Sequence, residues 1–320
     1  MILKTIAKNA LRPVWTPLRQ HIEHAVRREI SHPGGMSIQS MLCRQQDFST
    51  EWYLRWTREV ANAAPDLPED QQAVWGTVWQ GMKGKWLHRK LWEWCAVAQA
   101  LEERDMLRPG RAGIGFAVGH EPLPSLFALR GVQIVASDFH GEGSREAWAS
   151  TGQLGESLKA VHWPKVLPMV EFSARAEYQN IDMRNLSAVP RSAYDFSWSS
   201  CSFEHLGSLE AGLQFLVDSL DCLKPGGIAV HTTEFNVSSN DATVETGDDV
   251  IYRRKDIEAF DARLRGMGCG IESLSFDPGH GQHDLAYDFP PWYTHGRQHL
   301  KLHSHGFVAT SILLIIRKPH

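Results

Sequence analysis

"GIGFAVGHEPLP", residues 113–124, stands between the break "RPGR" (108–111) and the apolar run "VQIVASD" (132–138). A strand that runs into a glycine-rich turn and then a helix points backbone N–H groups at a ligand, and an acid about 20 residues further on can bind ribose hydroxyls. Gly113, Gly115 and Gly119 supply the turn, and Asp138 supplies the acid. Pro122 suits a first helical turn, having no N–H to lose there. The bland alternative is a tight turn with Asp138 as a helix cap. Glu121 narrows the choice of ligand. A dinucleotide would bring its pyrophosphate to the helix N-terminus beside this carboxylate, like charge against like. A nucleoside that carries positive charge and no phosphate meets no such repulsion.

Downstream of the loop, short apolar runs alternate with helical ones, the pattern of a mostly parallel sheet with helices on both faces. Strands are expected at 114–118, 132–136, 178–181, 194–199, 227–232, 271–276 and 307–317, with helices at 123–130, 208–222 and 255–267 among others. Upstream, the chain reads as helices. Residues 48–64 and 71–107 space large apolar groups at three and four, as in Leu91, Cys95, Ala98 and Leu101. The chain therefore divides into a helical N-terminal region, 1–105, and an α/β domain, 106–320. Eight of the twelve tryptophans, Trp15 to Trp94, fall in the helical part, where a stripe at helical spacing reads as core or interface.

At 320 residues the chain can bury a sizeable core, and its net charge of −4 lacks the basic excess of a general nucleic-acid binder. DNA and RNA are set aside as partners. Cys43, Cys95, Cys201, Cys222 and Cys269 form no CxxC pair, so neither a zinc ribbon nor a disulfide framework is suggested, and reduced, cytoplasmic residence is the simplest reading. The opening segment, "MILKTIAKNALRPVWTPLRQ", has no apolar run long enough for a signal peptide or a membrane span. It is basic and amphipathic, with Leu3, Ala7, Ala10, Val14 and Leu18 on one face. Such a segment docks on its own protein or on a second copy of the chain, or lies peripherally on an anionic membrane. Pro13 and Pro17 interrupt a continuous helix and favour docking.

From about residue 108 to 318 the chain resembles the class I S-adenosylmethionine-dependent methyltransferases, whose first motif is an acid followed by alternating glycines. The matching segment is "GFAVGHE", with Gly115 at the acidic position, Ala117 and Gly119 at glycine positions and Glu121 at the last glycine position. "IDMRNLS" resembles the segment whose acid binds the adenine amino group and whose next residue packs on the ring, here Asp182 and Met183. "YDFSWSSCSFEHLGSLEAGLQFLVDSLDCLKPGGIAVHTTEFN", residues 194–236, resembles the fourth strand, its helix, the "LKPGG" turn and the fifth strand. The resemblance implies a Rossmann-like, doubly wound sheet of seven strands with the last one, "FVATSILLIIRK", antiparallel. It also implies S-adenosylmethionine as cofactor, held by the loop, by Asp138 with Phe139, by Asp182 and Met183, and by Ser200. That cofactor carries a sulfonium and an ammonium, which a carboxylate at Glu121 tolerates. An NAD(P)-dependent sugar-modifying enzyme of the short-chain type is demoted, since none of the six tyrosines has a lysine four residues on.

Methyl transfer to oxygen needs donor and acceptor held in line, and an alcohol acceptor must also lose a proton. The candidates lie at the carboxyl ends of the fourth and fifth strands, where ligands bind in open sheets. They are His205 beside Glu204, and Glu234 beside Asn236. An imidazole is the side chain type best suited to a general base, but the His205–Glu204 pair can equally border the cofactor or cap the next helix. Glu234 reads as base or substrate binder, Asn236 as substrate binder and His231 as a core histidine. The segment "DPGHGQHDLAYDFPPWYTHGRQHLKLHSHG" reads as an extended insertion folding over the crevice, with Asp288 and His299 in the acceptor pocket and no metal-site spacing. The expected activity is O-methylation of a small or glycan-type acceptor. The alternative is a non-catalytic protein of this fold that works through its Trp-rich helices.

Overall fold

The computed structural model describes residues 37–64, 78, 81–82, 84, 86–141, 154–292 and 297–320. The amphipathic opening segment and the first half of the expected 71–107 helix lie almost wholly outside them. Two helices of the N-terminal region are described, α1 (Glu51–Ala63) and α2 (Arg89–Glu103). Thr50 caps α1 by accepting from the Tyr53 backbone N–H, and His88 caps α2 in the same way toward Lys90.

The strands are β1 (Met41–Leu42), β2 (Ala112–Gly115), β3 (Gln133–Asp138), β4 (Ala176–Asn180), β5 (Tyr194–Ser200), β6 (Gly207–Ser208), β7 (Leu223–Asn236), β8 (Thr246–Gly247), β9 (Gly270–Ile271), β10 (Leu302–Ser304) and β11 (Phe307–Arg317). Between them run the helices α3 (Leu123–Leu129), α4 (Met169–Ser173), α5 (Leu209–Asp221) and α6 (Arg254–Gly266). One sheet has the order β1-β11-β7-β5-β2-β3-β4, with β9 and β10 also paired to β11, while β6 and β8 form a separate two-stranded pair. β4, β3, β2, β5 and β7 are mutually parallel, and β11 is antiparallel to β7. A mostly parallel sheet with a reversed last strand is what the resemblance implied, and two short strands, β9 and β10, add to it on β11.

The sixth strand departs from expectation. Residues 271–276 were to pair throughout, yet only Gly270 and Ile271 lie on β11. The next stretch of that edge is taken by β1, where Met41 pairs with Leu313 and Leu42 with Ile312. Glu272 still donates its N–H to Ile315 O on β11 at 2.8 Å, but its carbonyl accepts from Ser40 N at 3.3 Å and Ser275 N donates to Ser40 O at 2.8 Å, so the segment continues one place outward on β1's side. A segment far away in sequence thus completes the sheet edge.

Two apolar cores flank the sheet. One joins α1, α2, α3 and residues 161–172 to Ile134, Phe196, Trp198 and Ile315, and the other joins α5 and α6 to Ile114, Phe116, Phe235 and Ile316. The alternation of Phe196 and Trp198 with Ser197 and Ser199 along β5 sends successive side chains to opposite faces. Trp56, Trp92 and Trp94 are buried in the first core, as the core reading of the Trp stripe required. Ile38–His320 form one compact unit, and the expected boundary at 105/106 falls inside it, because α1 and α2 are one of the layers covering the sheet. No helix among the described residues is long and apolar enough to cross a membrane.

Candidate active site

The direction of chain progression across the sheet reverses at β2 and β5, and ligands of open sheets bind outside the carboxyl ends of strands at such a point. β2 ends at Gly115, where a Cβ would lie 2.3 Å from the Trp198 indole. No side chain fits the position at which the resemblance has its acid. The chain then turns through left-handed conformations at Ala117 (φ 49°) and Gly119 (φ 50°). The turn brings the Glu121 carboxyl back under the loop, where it accepts from Trp198 Nε1 at 2.5 Å. Glu121 is only 3% exposed, and burial pushes it up to about 7 against the pull of the indole N–H.

On the β3 side, Asp138 is hydrogen-bonded by backbone groups. Oδ1 accepts from Phe139 N and Oδ2 from Gly155 N, both at 2.9 Å. Residues 154–163 lie against the glycine loop: a Cβ on Gly155 would sit 2.5 Å from Gly119 O, and His120 Nδ1 is 2.9 Å from Ala160 O. Asp182 pairs with Arg184 at 2.8 Å, which outweighs burial and holds the carboxyl below its ordinary value. The same guanidinium lies 5.6 Å from the Phe139 ring centroid. Met183 is buried in the second core beside Ile181 and Leu186.

The β5–β7 side is built around the first turn of α2. This helix is buried on all sides from Leu91 to Leu101, so its Glu93, with no exposed surface, must find partners inside. They are Lys90 Nζ at 2.9 Å, Arg89 Nη1 at 3.2 Å, Cys201 Sγ at 3.1 Å and Ser311 Oγ at 2.5 Å. Arg89 also pairs with Glu234 at the end of β7, while Lys90 approaches the carbonyl of Ser200 at 3.5 Å. Glu204 accepts from Thr233 Oγ1 at 3.0 Å. Burial pushes Glu204 up, and it pushes Glu234 up to about 7 despite the Arg89 charge. Ligand atoms of Cys201, Glu204 and Glu234 lie within 4.8 Å of one another, and the Arg89 guanidinium already serves as the counter-charge there.

The insertion reaches the same place. Asp288, fully buried, accepts from His299 Nδ1 at 2.8 Å, and the His299 carbonyl accepts from Arg89 N at 2.9 Å. The His299 ring lies 4.8 Å from that of His88. Burial lowers His299 to about 4 even though Asp288 pulls it upward, so the imidazole is neutral at working pH.

The structure therefore brings together Glu234, Ser200, Asp288 and His299. It separates His205, whose Nδ1 is bound to the Asp248 carbonyl at 2.7 Å; its neighbour Glu204 faces the cluster instead. Asn236 is held by its own loop. Its amide oxygen accepts from Ser238 N and Ser239 N, and its amide nitrogen donates to Ala242 O and Thr243 Oγ1. These side-chain bonds shape the loop after β7, where Asn236 lines a separate cavity with Phe235, Ser239 and Arg254. Arg89, Lys90 and Glu93 escape sequence reading because they sit in a helical repeat. The available signal was Glu93 itself, a lone charge inside the apolar run "LWEWCAVAQAL".

The donor set fits a cationic nucleoside on charge. Four carboxyls, Glu93, Glu121, Glu204 and Glu234, face two cations, Arg89 and Lys90. Burial raises Glu121, Glu204 and Glu234, and a sulfonium or ammonium beside them would draw them to ionise. At the sugar position, Asp138 has the right chemistry, with the Gly155 N–H now on the oxygen a hydroxyl would use.

No protein-family profile matches the chain, and no curated protein matches it in sequence. Solved structures do match. Phosphoethanolamine N-methyltransferase 2 from Haemonchus contortus, in complex with S-adenosyl-L-methionine, is 13% identical over 71% of this chain and 53% of its own, with a TM-score of 0.44. An S-adenosylmethionine-dependent methyltransferase from Mesorhizobium loti is 14% identical over 69% of this chain and 98% of its own, at 0.40. The 1,6-didemethyltoxoflavin-N1-methyltransferase of Burkholderia thailandensis is 13% identical over 80% of this chain and 93% of its own, at 0.40. The chain spans 63%, 59% and 53% of the first three structures it matches.

Proposed function

We propose that the protein is an S-adenosylmethionine-dependent methyltransferase acting on oxygen of a small or glycan-type acceptor. The observation that carries this reading is the cluster of buried acids near the point where the strand order reverses, in which Glu93 and Glu234 pair with Arg89, Glu93 also pairs with Lys90, and Glu204 lies beside Glu234. Asp138, Phe139 and Asp182 would hold the adenosine, and Glu121 lies under the loop toward the positive charge. When bound, the cofactor supplies an electrophilic methyl group. Glu234 takes the proton of an acceptor hydroxyl, a task suited to a carboxyl whose affinity for protons is raised to the working pH. Arg89 fixes its orientation, and the His299–Asp288 pair presents a neutral imidazole to the acceptor from the insertion. The glycan class is supported by the basic opening segment, which would bring the enzyme to a lipid-linked substrate.

Calorimetry with S-adenosylmethionine and S-adenosylhomocysteine tests the cofactor. Transfer of labelled methyl to hydroxyl-bearing small molecules and lipid-linked sugars tests the acceptor. Glu234→Gln is expected to lower turnover about 100-fold or more with homocysteine-analogue binding unchanged. A second reading, a non-catalytic protein of this fold, is favoured by the Gly155 N–H on Asp138, and absence of cofactor binding at high micromolar concentration would establish it over the first.

A further inference from the structure

Tyr178 and His140 stand beside Asp138 and have no part in the reading so far. Tyr178 on β4 is in register with Ala136 on β3, one pleat before the Asp138–Asn180 pair, so its side chain leaves the sheet on the same face as Asp138. Among the described residues its buried hydroxyl finds no hydrogen-bond partner, and neither does Nδ1 of His140. The two rings are stacked, with centroids 5.8 Å apart and 15° between planes. Burial, with the Asp138 and Glu156 carboxylates, pushes the phenol upward, so it remains a donor at any working pH. A buried polar atom with no partner costs folding stability, and native structures seldom keep two side by side without a functional reason. Above them residues 154–163 cover the site, with Gly155 N on Asp138 Oδ2 and Trp163 N on Ser125 Oγ, both at 2.9 Å. A carboxylate, a phenol and an imidazole nitrogen within one small area match two adjacent hydroxyls, since a diol can donate to the first and third and accept from the second.

We propose that Tyr178 and His140, together with Asp138, recognise the vicinal hydroxyls of a ribose, and that the Gly155 N–H stands in for one hydroxyl until the sugar displaces it. The inference rests on the adenosyl reading above and adds the residues that select ribose over deoxyribose.

The test is calorimetric affinity of the full chain for S-adenosylhomocysteine and for its 2′-deoxy and 3′-deoxy counterparts. The unsubstituted protein is expected to bind at least one deoxy compound about tenfold more weakly, roughly the worth of one hydrogen bond. Tyr178→Phe removes an oxygen that bonds nothing, so its melting temperature should equal or exceed that of the parent, while its affinity for the ribose compound falls about tenfold and its discrimination is lost. A purely structural tyrosine would do the reverse, losing stability and keeping discrimination. Binding without discrimination, or discrimination retained in Tyr178→Phe and in His140→Phe alike, overturns this inference alone. No binding of S-adenosylhomocysteine by the unsubstituted protein overturns the methyltransferase reading and this inference with it.

Discussion

Asp138 and Glu234 both lie at the carboxyl ends of strands of one sheet, yet they are held in opposite ways. Asp138 is bonded by backbone N–H groups at Phe139 and Gly155, its near neighbours in sequence. Glu234 is held by Arg89, on a helix that precedes the whole sheet domain. The first arrangement is local and sized for a ligand hydroxyl, because a backbone N–H and a sugar O–H make interchangeable bonds to a carboxylate. The second is assembled from α2, β5, β7 and β11, and its charges are balanced only among side chains. On the proposed reading, the half that would bind is thus written in short stretches of chain, and the half that would move protons is assembled across α2, β5, β7 and β11.

If that contrast is right, the assembled half should be the more fragile. Glu93→Ala strands Lys90 without its acid and removes the acceptor of Arg89, Cys201 and Ser311. Breaking a buried ion pair from one side costs about 3–5 kcal/mol, and urea unfolding should show a loss of that size. A loss under about 1 kcal/mol would mean the cluster is solvated, and the comparison between the two halves would fail.

A titration sharpens it further. Glu121 rises from 4.5 to about 7, so the folded state keeps a proton that the unfolded chain has released. Stability is then full below the unfolded value, falls as pH climbs toward 7, and loses nothing more above it. Glu121→Gln keeps an oxygen for the Trp198 N–H but cannot ionise. It should match the parent near pH 4 and exceed it by about 3 kcal/mol near pH 8, each tenfold change in proton affinity being worth about 1.4 kcal/mol. Equal stabilities at both pH values would show that Glu121 titrates normally. Cofactor binding by the parent near pH 6.5 should likewise release protons into the buffer, since a cation drives the buried carboxyls to ionise.

The sheet was readable because its strands carry their own signals: alternation in 194–200, the apolar run before Asp138, and the Pro-Gly-Gly turn that opens β7. The glycine loop was readable for the same reason. What escaped was set by distant pairing. The sixth strand looked long enough at 271–276, but β1 claims its place on β11, and no local pattern announces a competitor over 200 residues away. Arg89 and Glu93 follow the same rule, since their meaning depends on Glu234 and Ser311. Asn236 runs in the opposite sense. An amide at a strand end by the crevice suggests a ligand, yet its partners are the next few residues of its own loop.

Gly115 tests whether the loop's departure from its family pattern is dictated by packing. A methyl group there would lie 2.3 Å from the Trp198 ring and 2.6 Å from Val118, so Gly115→Ala should cost about 1–3 kcal/mol through overpacking. Gly115→Ala combined with Trp198→Phe should recover part of that loss. No recovery would locate the strain elsewhere in the loop.

The smallest effect belongs to the local half. Asp138→Asn leaves an oxygen for one of the two N–H donors and turns an NH₂ toward the other, so the fold loses one side-chain hydrogen bond, about 1–2 kcal/mol. Its effect on ligand should be disproportionate, because the amide's NH₂ cannot accept from a sugar hydroxyl. The expected outcome is a small fall in melting temperature with about a tenfold or greater loss of S-adenosylhomocysteine affinity. Glu93→Ala, if the contrast holds, should show the converse, with a large loss of stability and the smaller loss of analogue affinity in whatever fraction remains folded. A variant pair that moved stability and affinity in proportion would mean that the two halves are one cooperative structure, and that the division drawn between binding and proton transfer does not exist in the molecule.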